Sequence, residues 1–230
     1  VDASVGGKNG VNLDGYKNMV GCFSQPEFVV CDVHLLKTLS DREFRTGLAE
    51  IIKAAIIADE ELFTMLESCD FSRLKCNDKL LAEIVFRAIQ IKAAIVECDE
   101  REAGERRKLN LGHTFAHAIE TIAQYRGADV THGEAVAMGI VLAAELSEKY
   151  AMADEQWREV CDFNLYQRFE DDFLAVGLPI NCPYKIADMA EIMCKDKKAE
   201  AGKIHFVLPA SIGDVRIVDM TIEQVVGLLA

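Results

Sequence analysis

Three histidines carry the side chains best suited to binding a divalent metal. His113 and His117 are four residues apart in LNLGHTFAHAIE, so on a helix they lie on one face, one turn apart. His132 opens a second apolar run, THGEAVAMG. Catalytic zinc typically takes three His, Asp or Glu ligands and leaves one position open. The spacing predicts a metal site that uses either His113 with His132 or His113 with His117; the alternative is ordinary core histidines.

Glu50 is the acid best placed to complete such a site. It lies with Lys53 in GLAEIIKAAII, flanked by Ala and Ile, so both side chains are expected to be partly buried. A buried carboxylate needs a cation, hydrogen bonds or a metal. The alternative is a surface ion pair between residues three apart on a helix. The metalloprotease motif HExxH is absent because Thr114 follows His113.

Hydrophobic periodicity predicts the helices that position these residues. Ser40 and Glu43 have the capping-box spacing and predict a helix running to about Leu66. Further helices are predicted over 78–97, 111–125, 133–150, 153–163, 165–175, 185–195 and 221–229. EFVVCD, residues 27–32, predicts a short strand, and residues 204–218 predict a β-hairpin. The fold class is therefore mainly α, with a short strand near the N-terminus and a β-hairpin near residues 204–218.

Three segments have the composition of loops. Residues 1–23 contain five glycines, two lysines and three asparagines, which favours turns and anion contacts; the alternative is a flexible terminal loop. The GGK triplet there lacks the Walker spacing GxxxxGK[ST]. Residues 99–108, DEREAGERRK, are typical of a solvated charged loop, and residues 195–203 of a mobile basic loop.

Composition excludes several function classes. The 230 residues have a formal net charge of −13, which argues against non-specific nucleic-acid binding. Eight cysteines without a CxxC pair indicate reduced thiols in a cytoplasmic protein. No apolar run reaches the roughly 18 residues of a membrane span, so no membrane partner is expected.

Five segments, in this order, resemble the 3-dehydroquinate synthase family: VDASVGGKNGVN, GYKNMVGCFSQPEFVVCD, LKTLSDREFRTGLAEIIK, DEREAGERRKLNLGHTFAHAIE and THGEAVAMG. The resemblance implies the dehydroquinate synthase-like fold. It also implies closure of a seven-carbon sugar-acid phosphate (DAHP) to 3-dehydroquinate with loss of phosphate, a step of the shikimate pathway to chorismate and the aromatic amino acids. The cofactors it implies are NAD and a divalent metal, Zn²⁺ or Co²⁺.

The resemblance also implies roles for individual residues. The implied metal ligands are Glu50, His113 and His132. The implied substrate-binding residues are Asp2, Lys8, Asn18, Lys92, Arg106, Asn110, His117 and, from the basic loop, Lys197. The implied catalytic residues are Lys53, Lys92, Glu102 and His117. The implied NAD contacts are Lys8, Lys17, Leu35, Leu36, Lys37 and Thr38.

The family places a Rossmann-like domain ahead of the VDASVGGK segment, and this chain has no GxGxxG turn. Residues 1–39 are therefore expected to be the tail of an NAD-binding domain, and residues 40–230 the helical metal- and substrate-binding domain. The 230 residues alone are expected to bind NAD poorly and to turn over little substrate. The intact enzyme is expected to be a homodimer.

Three alternatives remain open from the sequence. A related sugar-phosphate cyclase, making a valiolone or an inosose, shares fold and cofactors, but Arg106, Asn110 and His117 favour a substrate with a carboxylate and a phosphate. An iron-type or glycerol dehydrogenase is disfavoured by DEREAGERRKLNLGH. A non-catalytic helical binding domain would bind no zinc.

Overall fold

The computed structural model describes residues 2–13, 16–196 and 202–230. Two short 3-10 helices accompany the strands and helices of this part, over Val33–Thr38 and Glu105–Asn110. The strands and helices of the described residues are β1 Lys8–Leu13, β2 Tyr16–Phe23, α1 Asp41–Ala58, α2 Glu60–Glu67, α3 Phe71–Leu74, α4 Asp78–Cys98, α5 His113–Arg126, α6 His132–Ala153, α7 Glu155–Arg158, α8 Leu165–Val176, α9 Ile186–Asp196, β3 Ile204–Ser211, β4 Asp214–Met220 and α10 Ile222–Leu229. The mainly helical fold class is confirmed.

Helix α6 is the centre of the packing. It is apolar on nearly every face, and α1, α5, α8 and strand β3 all pack against it. Its buried Ser147 donates a hydrogen bond to the Pro209 carbonyl at 2.6 Å and accepts one from Trp157 Nε1 at 3.1 Å. These bonds satisfy the polar groups where α6 meets α7 and β3. No helix in the described ranges combines the length and apolar character needed to cross a bilayer.

The first predicted helix is two helices. Ser40 and Glu43 form the predicted capping box. The prediction of one continuous helix up to Leu66 was wrong, because α1 ends at Ala58 and α2 begins after Asp59. Asp59 adopts non-helical backbone angles, its side chain caps the Leu62 amide at 2.9 Å, and it pairs with Arg87 of α4 at 2.7 Å. A capping carboxylate anchored from a neighbouring helix competes with continuation of α1.

The N-terminal predictions need correction. No strand forms over residues 27–32, where Phe28 and Val30 are each 78% exposed and no strand of the described chain pairs with them. The glycine-rich segment expected to be a loop instead contains the antiparallel hairpin β1–β2, with Lys8 opposite Phe23. A strand requires a hydrogen-bonded partner, and β-branched composition alone does not supply one.

The C-terminal predictions are closer to the structure. Strands β3 and β4 form the expected hairpin, with Ile204 opposite Met220. The helix expected over 153–163 is the single turn Glu155–Arg158, and the others lie within a few residues of their predicted ends.

Candidate metal centre

Glu50, His113 and His132 converge on one point, and one ligand atom from each lies within 4.8 Å of the others. Glu50 Oε1 is 3.6 Å from His113 Nε2 and 3.2 Å from His132 Nε2. Glu50 comes from the middle of α1, while the two histidines are the first residues of α5 and α6. Residues far apart in sequence therefore present two imidazole nitrogens and a carboxylate oxygen to a shared space.

Close packing of α6 on α1 brings His132 to Glu50. A Cβ atom added to Gly133 would lie 2.1 Å from the Thr46 carbonyl oxygen, so only glycine permits this approach. Thr46 also shares a hydroxyl–hydroxyl hydrogen bond of 2.7 Å with Thr131, the N-cap of α6. Since Thr46 precedes Glu50 by one helical turn, these contacts fix the start of α6 against the part of α1 that carries Glu50.

A second anchor holds the same helix end. Arg42 of α1 donates to both carboxylate oxygens of Glu134, at 2.7 and 2.8 Å, and also pairs with Asp129. Glu134 in turn accepts the Thr131 amide at 2.9 Å and completes a capping box. The start of α6, and hence the His132 backbone, is fixed from two sides.

His113 is positioned by an unusual helix start. Gly112 is left-handed, with φ of 74°, and a Cβ atom there would lie 2.6 Å from Ile140. This turn leaves the Leu111 carbonyl 3.1 Å from His113 Nδ1. When Nδ1 carries the proton and donates to that carbonyl, Nε2 is left with its lone pair facing Glu50.

The three candidate ligands differ in protonation state at pH 7. Burial lowers the pKa of His113 to about 3, so its ring is neutral at pH 7. Hydrogen bonds to Glu120 and then to Glu50 raise the pKa of His132 to about 9. Burial alone would raise the pKa of Glu50, but the charge of Lys53, 2.6 Å away, and the His132 hydrogen bond hold it well below its ordinary value. Glu50 is therefore a carboxylate and His113 a neutral donor.

His117 lies beside this group without joining it. Its ring packs edge-on against His113, with centroids 5.7 Å apart. Of the two histidine pairs left open by the sequence, the structure brings His113 and His132 together, with ring centroids 5.3 Å apart. His117 is thus one helical turn from the candidate metal ligands.

Three of the polar residues expected near the substrate form a second cluster. The Glu102 carboxylate pairs with the Lys8 ammonium and accepts a hydrogen bond of 2.6 Å from the Asn110 amide. Glu102 is a non-glycine residue with positive φ, 62°, a strained conformation typical of functional sites. The loop that holds it is tied to Asp99, which accepts the amides of Ala103 and Gly104 at 2.9 and 2.7 Å. The hydrogen bonds from these amides to the Asp99 carboxylate thus stabilise the strained backbone conformation of Glu102.

The two cations expected to bind the substrate carboxylate contact the N-terminal segment. Lys92 donates to the Asp2 carbonyl at 2.7 Å and lies 3.2 Å from its carboxylate. Arg106 is buried, and its guanidinium donates to the carbonyls of Gly6, at 2.7 Å, and Glu100. Both side chains therefore join residues 2–6 to the helical domain.

The residues expected to contact NAD lie partly within the described structure. Leu35, Leu36, Lys37 and Thr38 form part of the first 3-10 helix, in which Leu35 is 68% exposed and Lys37 pairs with Asp78 at 2.8 Å. The side chains of Lys17 and Asn18 are not described, and Lys197 lies outside the described residues.

Sequence reasoning missed one residue of the metal centre, Glu120. Its carboxylate is 3.2 Å from His132 Nδ1, on the far side of the ring from Glu50. The pattern that reveals it is the spacing 113, 117, 120, which places all three side chains on one face of α5.

The donor set fits a catalytic zinc or cobalt site. Two imidazoles and one carboxylate make three protein ligands, and each imidazole has its Nδ1 bound elsewhere and its Nε2 directed inward. The arrangement is chemically complete for a metal with one open position.

Comparison with known proteins agrees with this geometry. Residues 47–199 match the family described as 3-dehydroquinate synthase C-terminal, and residues 1–46 match 3-dehydroquinate synthase N-terminal. The chain is 44% identical to 3-dehydroquinate synthase of Idiomarina loihiensis over 225 residues, and 41% identical to that of Dictyoglomus thermophilum over 224 residues. Each alignment covers 97% of this chain and 60% of the relative, so the chain spans about 60% of their length.

Two solved structures share the fold. The 2-epi-5-epi-valiolone synthase ValA of Streptomyces hygroscopicus, with NAD⁺ and Zn²⁺ bound, superposes with a TM-score of 0.84 at 29% identity, covering all of this chain and 62% of that one. A 2-deoxy-scyllo-inosose synthase, complexed with carbaglucose-6-phosphate, NAD⁺ and Co²⁺, gives 0.74 at 19% identity, covering 99% and 62%. Fold and site together define a helical domain of the dehydroquinate synthase-like fold that contains a candidate metal site. Within that class, the chain belongs to the 3-dehydroquinate synthase family.

Proposed function

We propose that the chain carries the metal- and substrate-binding part of a 3-dehydroquinate synthase, which converts DAHP to 3-dehydroquinate with loss of phosphate, using NAD and a divalent metal. The observation that carries this proposal is the convergence of Glu50, His113 and His132. The resident metal is Zn²⁺ or Co²⁺, in keeping with the donor set and with the metals of the two related structures. When bound, the metal supplies Lewis-acid polarisation of substrate hydroxyl groups.

Lys53 controls the ionisation of the metal ligand Glu50. It is buried and 2.6 Å from Glu50, so it holds the ligand as a carboxylate and offsets part of its charge. His117 adds an imidazole one turn from His113, in a position suited to moving a proton near the substrate phosphate. Lys53 thus keeps Glu50 ionised, while His117 provides an imidazole for proton transfer beside the metal ligands.

The cluster of Lys8, Glu102 and Asn110 is the proposed phosphate contact. Its lysine and amide donors now both bind the Glu102 carboxylate. A substrate phosphate, which carries more charge and more acceptor oxygens, competes with that carboxylate for the same donors. Substrate binding is therefore proposed to open the contact between Glu102 and Lys8. Asn18 and Lys197 are proposed as further contacts.

The substrate carboxylate is assigned to Lys92 and Arg106, next to Asp2. In the described structure both cations bind backbone carbonyls of residues 2–6, so a carboxylate would arrive beside donors that are already oriented. NAD is proposed to contact Lys8, Lys17 and the segment Leu35–Thr38. The intact enzyme is proposed to be a homodimer. A cytoplasmic location is also proposed, in agreement with eight free cysteines.

The test is phosphate release from DAHP by a chain spanning the full length of these relatives, supplied with zinc and NAD. Release that disappears in Glu50→Gln supports the proposal. A matched control is Glu145→Gln, which removes a carboxylate paired with Lys149 on the surface of α6, and which we expect to retain full activity. Absence of turnover with DAHP under these conditions refutes the proposed reaction.

The second candidate is a valiolone-type cyclase, favoured by the TM-score of 0.84 to the valiolone synthase structure. It acts on a sugar phosphate without a carboxylate, so it has no use for Lys92 and Arg106 as carboxylate ligands. Turnover of sedoheptulose 7-phosphate in place of DAHP would identify it.

A further inference from the structure

The two candidate histidine ligands are oriented in different ways. His113 is enclosed, with 14% of its side chain exposed, and its Nδ1 contacts a backbone carbonyl. His132 is the first residue of its helix, and 45% of its side chain is exposed. Packing therefore fixes the His113 ring, whereas hydrogen bonds must fix the His132 ring.

We propose that Glu120 is a positioning residue of the metal centre, which orients His132 by accepting its Nδ1–H and thereby directs Nε2 toward the metal. The inference rests on the proposed metal site. Glu120 Oε1 lies 3.2 Å from His132 Nδ1, and Glu50 Oε1 lies 3.2 Å from Nε2 on the opposite side of the ring. A ring held at both nitrogens has one orientation and one tautomer available to it as a ligand.

The location of Glu120 supports a dedicated role. Only 9% of its side chain is exposed. It lies in the middle of α5, close to the buried Ile119 and Ile122. Burying a carboxylate without purpose is unfavourable, and this one lies two helical turns beyond His113 on the same helix face. One helix thus supplies a metal ligand directly and orients a second ligand on the neighbouring helix.

A negative oxygen on Nδ1–H also strengthens Nε2 as a donor, because it stabilises positive charge that develops on the ring when the metal binds. Removing the carboxylate should therefore weaken metal binding through His132, although Glu120 contacts no metal itself. Replacement by glutamine keeps an oxygen acceptor and removes the charge, while alanine removes both.

The experiment measures the zinc affinity of a chain spanning the full length of these relatives by competition with a chromophoric chelator, for wild type, Glu120→Gln and Glu120→Ala. We expect zinc affinity to fall about 10- to 100-fold in Glu120→Ala and by less in Glu120→Gln. This range is typical when a metal-ligating histidine loses the hydrogen-bond partner of its other ring nitrogen. Glu145→Gln, the surface control on α6, should match wild type within twofold. A second readout is the d–d absorption of bound Co²⁺, whose band positions should shift in Glu120→Ala and stay constant in the control.

The outcomes separate this inference from the proposed function. If the wild-type chain binds no zinc, the metal site itself fails. If wild type binds one zinc and both Glu120 variants bind it within twofold of wild type with an unchanged Co²⁺ spectrum, the positioning role is overturned. If Glu120→Ala does not fold, the near-isosteric Glu120→Gln decides, and equal affinity in that variant overturns the inference.

Discussion

Replacing Gly133 by alanine perturbs the contact that brings His132 to Glu50. The added Cβ would lie 2.1 Å from the Thr46 carbonyl oxygen and 2.7 Å from the Thr46 Cα and carbonyl carbon. Ordinary contacts begin at 3.4 Å, so α6 must move away from α1 by about 1 Å. Because the obstacle is helix backbone, no side-chain rotation relieves it.

The displacement has two measurable consequences. Forced overpacking costs roughly 1–3 kcal/mol, against which alanine gains up to about 1 kcal/mol of helix propensity. We therefore expect a net loss of about 1–2 kcal/mol in the free energy of unfolding of the metal-free protein. Metal ligands tolerate about 0.5 Å of displacement, so zinc affinity should fall at least tenfold.

Denaturant unfolding in the presence of a chelator measures the first quantity, and zinc competition the second. Gly227→Ala is the matched control, since a Cβ atom added there in α10 would have no other atom within 4 Å. This substitution should leave zinc affinity unchanged and raise the free energy of unfolding by up to about 1 kcal/mol. Wild-type stability and zinc affinity in Gly133→Ala would refute the close-packing argument.

Three further predictions concern the site and its frame. Because hydrogen bonds raise the pKa of His132 to about 9, zinc binding at pH 7 should release close to one proton from this ring, and zinc affinity should rise with pH up to about 9. Calorimetry in two buffers of different ionisation heat measures the number of protons released. A release of zero protons would contradict the prediction. Ser147→Ala removes the buried hydrogen bond to the Pro209 carbonyl and the one accepted from Trp157 Nε1. It should destabilise the chain by about 1–2 kcal/mol in denaturant unfolding, with zinc affinity unchanged, and wild-type stability would contradict this expectation. Asp99→Asn removes the charge that binds the loop amides and holds Glu102 in its strained backbone. If DAHP is the substrate, as proposed, the Michaelis constant of the full-length protein for DAHP should rise severalfold with zinc affinity retained. An unchanged constant would separate this loop from substrate binding.

The sequence was most informative where local chemistry decides the structure. The Ser40 capping box and the C-terminal hairpin follow from spacing and composition, and both are present. Partial burial of Glu50 and Lys53 was also predicted, and the structure pairs the two residues with only 14% and 7% of their side chains exposed, whereas the alternative was a surface ion pair. Short-range hydrogen bonds and periodic apolar faces are properties of a few neighbouring residues, so they survive without knowledge of the fold.

Long-range contacts decided what the sequence could not predict. The break at Asp59 depends on Arg87, 28 residues away, and the absence of a strand at 27–32 depends on the lack of a partner strand among the described residues. Likewise, spacing alone left His117 equivalent to His132 as a partner for His113. The crossing of α5 and α6 removed that equivalence, and this crossing is a tertiary property that no local pattern encodes.

Glu50, His113 and His132 are proposed to hold one divalent metal. This proposal is tested most directly by anomalous diffraction at the zinc edge from crystals of the chain grown with zinc. We expect one peak per chain, about 2.0–2.2 Å from Glu50 Oε1 and from the Nε2 atoms of His113 and His132. A zinc peak coordinated elsewhere, or none at this position with zinc in excess, would contradict it.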